Sequence, residues 1–226
     1  MRLRAVVFDF DGVIANSEPL HFRSLRDVLA STGVSLSEPD YYARYLGFDD
    51  VAALRAIGAD SGAFGPDQVP SLVSRKAVRF EELGREGAVL FPGAADAVRR
   101  IAASMPIAIA SGARREEIVR VLRAAGLIDL FAAIVAAEDT PHSKPDPAPY
   151  QLAVRLLGAA AGGDRFRPAD CVAIEDSRWG IESARLAGLR TIAVTHTYKS
   201  SDLGAADLIV ESLEALDLAT LSAMIA

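Results

Sequence analysis

The sequence predicts an α/β protein with a Rossmann-like, doubly wound parallel sheet and an α-helical domain inserted after the first strand. Short apolar runs recur without polar/apolar alternation, which is typical of strands buried on both faces of a parallel sheet. Stretches of helical periodicity separate these runs, as expected for strand–helix–strand units. The interval after the first run is the exception. Residues 16–88 contain helical patterns and no convincing strand, and this interval is far longer than a crossover between parallel strands needs.

Six apolar runs are the predicted strands, and helical patterns lie between them. The strands are Ala5–Phe8, Ile107–Ala110, Ala133–Ala136, Cys171–Ile174, Thr191–Val194 and Leu208–Val210. Apolar residues at helical spacing mark two of the helices: Ala94, Ala97, Val98 and Ile101 in one, and Ile118, Val121, Leu122 and Ala125 in the other. In a sheet of this kind, ligands bind at the carboxyl ends of the strands.

The insertion is predicted to contain four helices, which glycines and prolines separate. The helical patterns cover residues 19–32, 38–46, 49–60 and 67–83. The predicted domains are therefore a core of residues 1–15 and 89–226 and a helical insertion of residues 16–88.

Composition excludes several classes of protein. The chain has 226 residues, of which 51% are hydrophobic, and its net charge is −6. With no run rich in Lys and Arg we expect no nucleic-acid partner, and with no apolar run of transmembrane length we expect no membrane partner. Asp9 and Asp11 interrupt the first apolar run too early for a signal peptide, so a cytoplasmic protein is expected. The single cysteine, Cys171, is expected to be a buried, inert thiol.

Two carboxylates follow the first predicted strand. In Val6-Val-Phe-Asp9-Phe-Asp11-Gly12, Asp9 and Asp11 stand two residues apart at the end of a buried run, where like charges repel. A bound divalent cation would relieve the repulsion, and Gly12 permits a turn away from the strand. The alternative is a pair of solvated turn residues, which the hydrophobic strand before them disfavours.

Further polar groups follow three later strands. Ser111 and Gly112 come after the second strand and before a helix, where a hydroxyl and backbone amides suit a phosphate group. A simple helix cap by Ser111 is the alternative. Lys144 follows the third strand in a loop that two prolines restrict, although an isolated Lys-Pro is usually a surface loop. Glu175 and Asp176 close the fourth strand, and they could instead stabilise the start of the next helix.

These motifs, in this order, resemble those of the haloacid dehalogenase superfamily. The stretch Phe8–His21 is similar to the subgroup that contains β-phosphoglucomutase and phosphoglycolate phosphatase. The resemblance implies that the inserted helices form a cap domain that closes over the pocket. It also implies that Asp9 is a nucleophile that attacks phosphorus, and that Asp11 protonates the leaving oxygen and later activates water.

The resemblance further implies a phosphate site and a Mg²⁺ site. Lys144, Ser111 and the backbone near Gly112 would hold the phosphate. Mg²⁺ would be bound by Asp9, the backbone carbonyl of Asp11, Asp176 and, directly or through water, Glu175. Hard oxygen ligands of this kind suit Mg²⁺. The expected function is a Mg²⁺-dependent phosphatase that hydrolyses a small phosphorylated metabolite, of the sugar phosphate or phosphoglycolate type, through an aspartyl-phosphate.

A mutase like β-phosphoglucomutase is the alternative enzyme. His21 matches a position that in that enzyme helps to couple closure to catalysis. However, Phe48-Asp49-Asp50 stands where the mutase has an arginine on the distal phosphate of its substrate, and Ala113 replaces a hydroxyl residue of the same site. The two acids would repel a second phosphate, so the phosphatase is favoured. Arg114 could compensate as a substrate-binding residue, or be a solvated arginine at a helix start.

Several roles stay open at the level of sequence. His21 could be a core histidine, and Lys76 a solvated helix lysine, instead of substrate contacts. His142 and His196 sit beside expected active-site loops. A phosphoryl-accepting or phosphometabolite-binding protein is the non-enzyme alternative. The long insertion and the Asp9-x-Asp11 spacing disfavour the former, and the latter would usually have lost Asp9, Asp11, Lys144 or Asp176. The substrate is not defined, and a monomer or weak dimer is expected.

Overall fold

The structure, a computed structural model, describes residues 3–46, 48–84, 90–163 and 166–225. It divides into two compact units, residues 1–16 with 88–226 and residues 17–87. The predicted domain boundary between residues 88 and 89 lies outside the described residues, as does Gly47.

Parallel strands and helices alternate in the larger unit, and the smaller unit is helical. The strands are β1 Ala5–Phe8, β2 Ile107–Ala110, β3 Phe131–Val135, β4 Cys171–Glu175, β5 Arg190–Val194 and β6 Leu208–Val210. The helices are α1 Glu18–Leu29, α2 Glu38–Arg44, α3 Asp50–Ser61, α4 Val69–Gly84, α5 Ala94–Ala102, α6 Arg115–Ala124, α7 Ala148–Ala160, α8 Arg178–Leu186 and α9 Leu218–Ala223.

The larger unit is built on a six-stranded sheet with the order β3-β2-β1-β4-β5-β6. All of its strand pairs are parallel, and Val7 of β1 lies opposite Ala108 of β2 and Ala173 of β4. The direction of winding reverses between β1 and β4. In a doubly wound sheet this reversal opens a crevice at the carboxyl ends of the two strands, where ligands bind. The predicted α/β fold class is confirmed.

Alternate residues of β1 enter different cores on the two faces of the sheet. Val6 and Phe8 pack in one cluster with the apolar faces of α5 and α6, whereas Ala5 and Val7 pack in a second cluster with Tyr150 and its neighbours on α7. Because both faces are covered, every residue of the strand is buried. This explains why the run shows no polar alternation.

The smaller unit contains α1–α4 around a core of its own. Its helix ends are set by local sequence: the Asp49 side chain accepts a hydrogen bond from the Ala52 amide at the start of α3, and Gly62 ends that helix with φ 66°. The predicted helix over residues 19–32 ends earlier, because the chain continues after Leu29 as a 3₁₀ turn, Ala30–Thr32. Similarly, the helix predicted over residues 67–83 is a 3₁₀ turn followed by α4.

Two further expectations concern burial and membranes. Cys171 lies at the start of β4, where the expected burial is confirmed, and burial raises the pKa of its thiol to about 12, which disfavours the reactive thiolate. In the part of the chain that the structure describes, no helix has both the length and the apolar character needed to cross a bilayer.

Candidate active site

Asp9 stands directly after β1, at the point where the sheet order reverses. Its amide donates to the Ile174 carbonyl of β4 at 2.9 Å, so the backbone ladder continues one residue past the strand. The side chain is buried, with 8% exposed. After Asp9 the chain turns: the amides of Ile14 and Ala15 both donate to the Phe10 carbonyl, and half-buried Asp11 lies on this turn.

The end of β4 supplies two more buried carboxylates. Glu175 is the last residue of β4 and Asp176 follows it, because β4 lies beside β1 in the sheet. Carboxylate oxygens of Asp9, Glu175 and Asp176 lie within 4.8 Å of one another. The alternative that the two acids cap α8 is wrong, since the side chain of Ser177 is the cap and accepts from the Gly180 amide at 3.1 Å.

Lys144 joins the carboxylates of both strands. Its Nζ lies 2.8 Å from Asp9 Oδ1 and 2.6 Å from Glu175 Oε1. Burial alone would lower the pKa of Lys144, but the negative charges of Asp9 and Glu175 outweigh it and raise the pKa above its usual value. The lysine is therefore a fixed cation beside Asp9 rather than a residue of a surface loop.

Tyr150 supports this cluster from α7, and the sequence analysis did not identify it. Its hydroxyl donates to Glu175 Oε1 at 2.6 Å, and Lys144 Nζ lies 5.1 Å from the centre of its ring. The helical pattern assigns this position to the core, and the tyrosine is indeed fully buried. The signal that could have identified it is its hydroxyl, because a buried tyrosine usually needs a hydrogen-bond partner.

Crowding of the acids disfavours their charged forms. Burial, followed by the charge of Glu175, raises the pKa of Asp9 to about 7, although Lys144 opposes this. Burial and the charges of Asp9 and Glu175 raise the pKa of Asp176 well above its usual range, and a hydrogen bond with Thr197 opposes that rise. Protonation or a bound cation would relieve the crowding.

The acids fit a magnesium ion by their chemistry. Asp9 Oδ1 is buried and lies in ion-pair contact with Lys144 at 2.8 Å. Glu175 differs, because its Oε1 accepts from Lys144 and Tyr150 and its Oε2 accepts from the Asp176 amide at 3.2 Å. Asp9 and Asp176 are therefore the carboxylates best suited to bind Mg²⁺ directly.

The predicted phosphate-binding residues lie at the end of β2. Ser111 is buried and Gly112 is exposed, in the turn between β2 and α6. The Ser111 hydroxyl oxygen accepts from the Ala113 amide at 3.0 Å, which leaves its proton available for another acceptor. A helix cap by Ser111 is wrong, because α6 begins at Arg115 and exposed Arg114 occupies its N-cap position.

Within the smaller unit, His21 and Lys76 contact each other. Lys76 Nζ lies 2.7 Å from His21 Nδ1 and 2.7 Å from Asp50 Oδ1. Lys76 is only 3% exposed, so a solvated helix lysine is wrong. Burial, together with the charge of Lys76, lowers the pKa of His21 to about 3, which leaves the imidazole neutral and able to accept from the ammonium.

The two remaining histidines have different surroundings. His142 is exposed, and its backbone carbonyl accepts from the Thr140 hydroxyl at 3.0 Å. His196 is partly buried in the larger unit, with Nδ1 2.9 Å from the Gly12 carbonyl oxygen. Its ring stacks on Phe91 at 3.9 Å between ring centres.

Comparison with known proteins identifies the family. The family model for haloacid dehalogenase-like hydrolases matches residues 3–188. The chain belongs to this family.

Similar proteins include one that is named a phosphatase and one whose crystal structure carries a β-phosphoglucomutase assignment. The chain is 33% identical to protein CbbY of Rhodobacter capsulatus, over 95% of this chain and 96% of that protein. It is 32% identical to hexitol phosphatase B of Escherichia coli strain K12, over 85% of this chain and 84% of that protein. A crystal structure assigned to a β-phosphoglucomutase of Thermotoga maritima superposes with a TM-score of 0.76 at 26% identity, and covers 93% of this chain and 95% of that one.

Proposed function

We propose that this haloacid dehalogenase-like hydrolase is a Mg²⁺-dependent phosphatase of small phosphate monoesters, and that Asp9 is its nucleophile. The observation that carries the proposal is the Asp9 carboxylate, which is buried at the reversal point of the sheet, with Lys144 2.8 Å away and carboxylate oxygens of Glu175 and Asp176 within 4.8 Å. A similar phosphatase acts on hexitol phosphates, as its name states. Phosphorylated sugars and sugar alcohols, and phosphoglycolate, are therefore the substrate classes to test first.

The proposed reaction has two displacements. In the first, a carboxylate oxygen of Asp9 forms a bond to phosphorus while the bond from phosphorus to the leaving oxygen breaks, and Asp11 gives a proton to that oxygen. In the second, Asp11 takes a proton from a water molecule that attacks the aspartyl-phosphate, which releases phosphate and restores Asp9. Asp11 thus ends each cycle in the protonation state in which it began.

The other residues would stabilise the negative charge of Asp9 and of the phosphoryl group. Lys144 is oriented by Glu175 at 2.6 Å and would neutralise charge on Asp9 and on the transferring phosphoryl group. The free proton of Ser111 and the backbone near Gly112 would hold further phosphoryl oxygens. When bound, Mg²⁺ would offset the repulsion between Asp9 and the phosphate. Asp9, Asp176 and the carbonyl of Asp11 are the groups that we propose hold it.

We further propose that the smaller unit serves as the cap and contributes to substrate choice. Its contacts favour a phosphatase over a mutase. Lys76 could have bound a second phosphate, but its positive charge is already paired with the Asp50 carboxylate at 2.7 Å. Exposed Arg114 remains the candidate that could offset this. We also propose a cytoplasmic location and a monomer or weak dimer in solution.

Phosphate release from a panel of phosphomonoesters tests the proposal. The panel would contain sugar phosphates, hexitol phosphates, phosphoglycolate, a sugar bisphosphate and an aryl phosphate, each with Mg²⁺ and with chelator. We expect release that requires Mg²⁺ and that Asp9→Asn lowers by at least roughly a thousandfold. Asp129→Asn is the matched control, because Asp129 is exposed in the same unit.

Three outcomes would contradict parts of the proposal. Isomerisation of a hexose 1-phosphate without net release would support the mutase and overturn the interpretation of Asp50. Release that survives in Asp9→Asn would exclude this nucleophile. A stable phosphorylated protein with no turnover would support a phosphoryl-accepting protein.

A further inference from the structure

The loop after β5, residues 195–198, contacts the turn that carries Asp11. His196 Nδ1 lies 2.9 Å from the Gly12 carbonyl oxygen. A carbonyl oxygen can only accept, so Nδ1 carries the proton and the imidazole donates to the turn. The ring is held on its other side by Phe91, which lies nearly parallel to it with an interplanar angle of 19°.

The next residue of the same loop contacts the other acid-bearing strand. Thr197 forms a side-chain hydrogen bond with Asp176, just after β4. A Cβ atom on Gly12 would lie 1.8 Å from Asp176 Oδ2 and 2.8 Å from Thr197 Oγ1. The turn after β1, the end of β4 and the β5 loop therefore meet without spare volume. Gly12 is required there both by this contact and by its φ of 74°.

The internal bonds of the turn do not by themselves fix its place against the sheet. The Gly12 amide donates to Ala15, and the amides of Ile14 and Ala15 donate to Phe10, so these bonds shape the turn from within. The bond from His196 comes instead from the loop after another strand, and Phe91 both stacks on His196 and donates its amide to the Ile14 carbonyl at 3.1 Å. The contacts from His196 and Phe91 thus help to locate the turn from outside it, and they support each other.

We propose that His196 is a positioning residue for the proton-transfer step, which it controls through the Gly12 carbonyl and the neighbouring Asp11. The inference rests on the proposed function. Burial lowers the pKa of His196, with the Gly12 bond opposing, so the ring is neutral near pH 7 and its role needs only the Nδ1 proton. When the donor is lost, we expect the turn to be held less firmly, and Asp11 to be placed less accurately for proton exchange with the leaving oxygen.

Three variants separate this role from mere packing. His196→Phe keeps a ring for Phe91 and removes the donor, whereas His196→Asn keeps an N–H close to the position of Nδ1. Thr195→Ala is the matched control in the same loop, because Thr195 bonds to the Glu211 carbonyl at 3.4 Å and not to the turn. We expect His196→Phe to lower kcat by roughly tenfold to a hundredfold with KM little changed, and His196→Asn to restore most of the loss.

The leaving group gives the sharpest readout. An alkyl phosphate needs Asp11 to protonate its leaving oxygen, whereas a nitrophenyl phosphate releases a stable anion that needs little protonation. We therefore expect His196→Phe to lower kcat/KM, which reports the first displacement, much more for alkyl phosphates than for the nitrophenyl ester. An equal loss of kcat/KM on both substrates, or a loss that His196→Asn shares, would overturn the proposal.

A second measurement does not depend on turnover. Nitrogen-15 NMR of the imidazoles in the metal-free wild type reports which ring nitrogen of His196 carries the proton, and we expect Nδ1. The resonance is assigned from its absence in His196→Asn. A proton on Nε2 alone would overturn the inference, even in a protein that proved to be no phosphatase. Normal wild-type turnover with unimpaired His196→Phe would overturn the inference and leave the proposed function intact.

Discussion

At the scale of single residues, the candidate site is a buried group of charges that does not balance by itself. Asp9, Glu175 and Asp176 face one ammonium, that of Lys144. Burying charges is costly unless each one is paired and hydrogen-bonded. Glu175 meets this condition at both carboxylate oxygens, whereas the pKa of Asp9 is raised to about 7 despite its contact with Lys144. The excess of negative charge is the reason to expect a cation at Asp9 and Asp176.

Substitution of Tyr150 tests whether Glu175 needs the tyrosine hydroxyl in order to hold Lys144 beside Asp9. In Tyr150→Phe, Glu175 Oε1 loses the donor at 2.6 Å and keeps only Lys144, which then has more freedom to move away from Asp9. We expect kcat to fall about threefold to tenfold, and the free energy of unfolding to fall by about 1–3 kcal/mol. Steady-state kinetics and urea denaturation would measure both.

The control for Tyr150→Phe is a tyrosine outside the cluster. Tyr42 is exposed in the smaller unit, so Tyr42→Phe should leave both quantities nearly unchanged. A Tyr150→Phe protein with wild-type kcat would show that Lys144 holds Glu175 without help.

Sequence reasoning at this scale succeeded where a residue directly follows a strand. Asp9, Glu175 and Asp176 lie together because they end neighbouring parallel strands, and Lys144 joins them. It missed Tyr150, because the partner of that hydroxyl is distant in the chain and becomes a neighbour only once α7 packs on the sheet. The contact of His196 with Gly12 was hidden for the same reason.

At the scale of elements, the first turn of α8 is fitted to Glu175. The helix begins at Arg178 and runs directly beside the carboxylate of the strand before it. A Cβ atom on Gly180 would lie 1.9 Å from Glu175 Oε1 and 2.0 Å from Glu175 Cδ. Only glycine leaves the carboxylate where it can hold Lys144.

Gly180→Ala should therefore lower both the stability of the protein and its activity. We expect a loss of about 1–3 kcal/mol in the free energy of unfolding, because the added methyl group must displace Glu175 or α8. We also expect a lower kcat, because Lys144 loses its partner. Thermal denaturation and phosphate release would measure the two effects. Gly204→Ala is the control, since nothing lies within 4 Å of a Cβ there, and an equally stable Gly180→Ala would contradict the proposed fit.

Strand positions were predictable, while some of their ends were not. The predicted runs for β1, β2 and β6 coincide with the observed strands. β3 begins at Phe131, two residues before the predicted start at Ala133. It lies at the edge of the sheet and is only partly buried, so hydrophobicity marks its start weakly.

At the scale of the whole molecule, the buried titratable groups make stability depend on pH. The pKa of Asp9 is raised from 3.8 to about 7 by burial and by Glu175, so the native state holds a proton that the unfolded state has lost between those values. Across that window the Asp9 contribution to the free energy of unfolding falls as pH rises. His21 and His196 act oppositely, because burial lowers their pKa values below the usual 6.5. Between the lowered pKa and 6.5 the unfolded state binds more protons than the native state, so their contribution to the free energy of unfolding rises with pH.

Comparing the wild type with Asp9→Asn isolates the carboxylate, since the histidines are common to both proteins. Without metal, we expect the melting temperature of Asp9→Asn to exceed that of the wild type by several degrees at about pH 8, and by much less at about pH 5. With saturating Mg²⁺ the wild type should regain the difference at the higher pH, because a cation that binds only the native state stabilises it. A gap that is independent of pH would mean that Asp9 is ionised throughout, and that Lys144 alone compensates its charge.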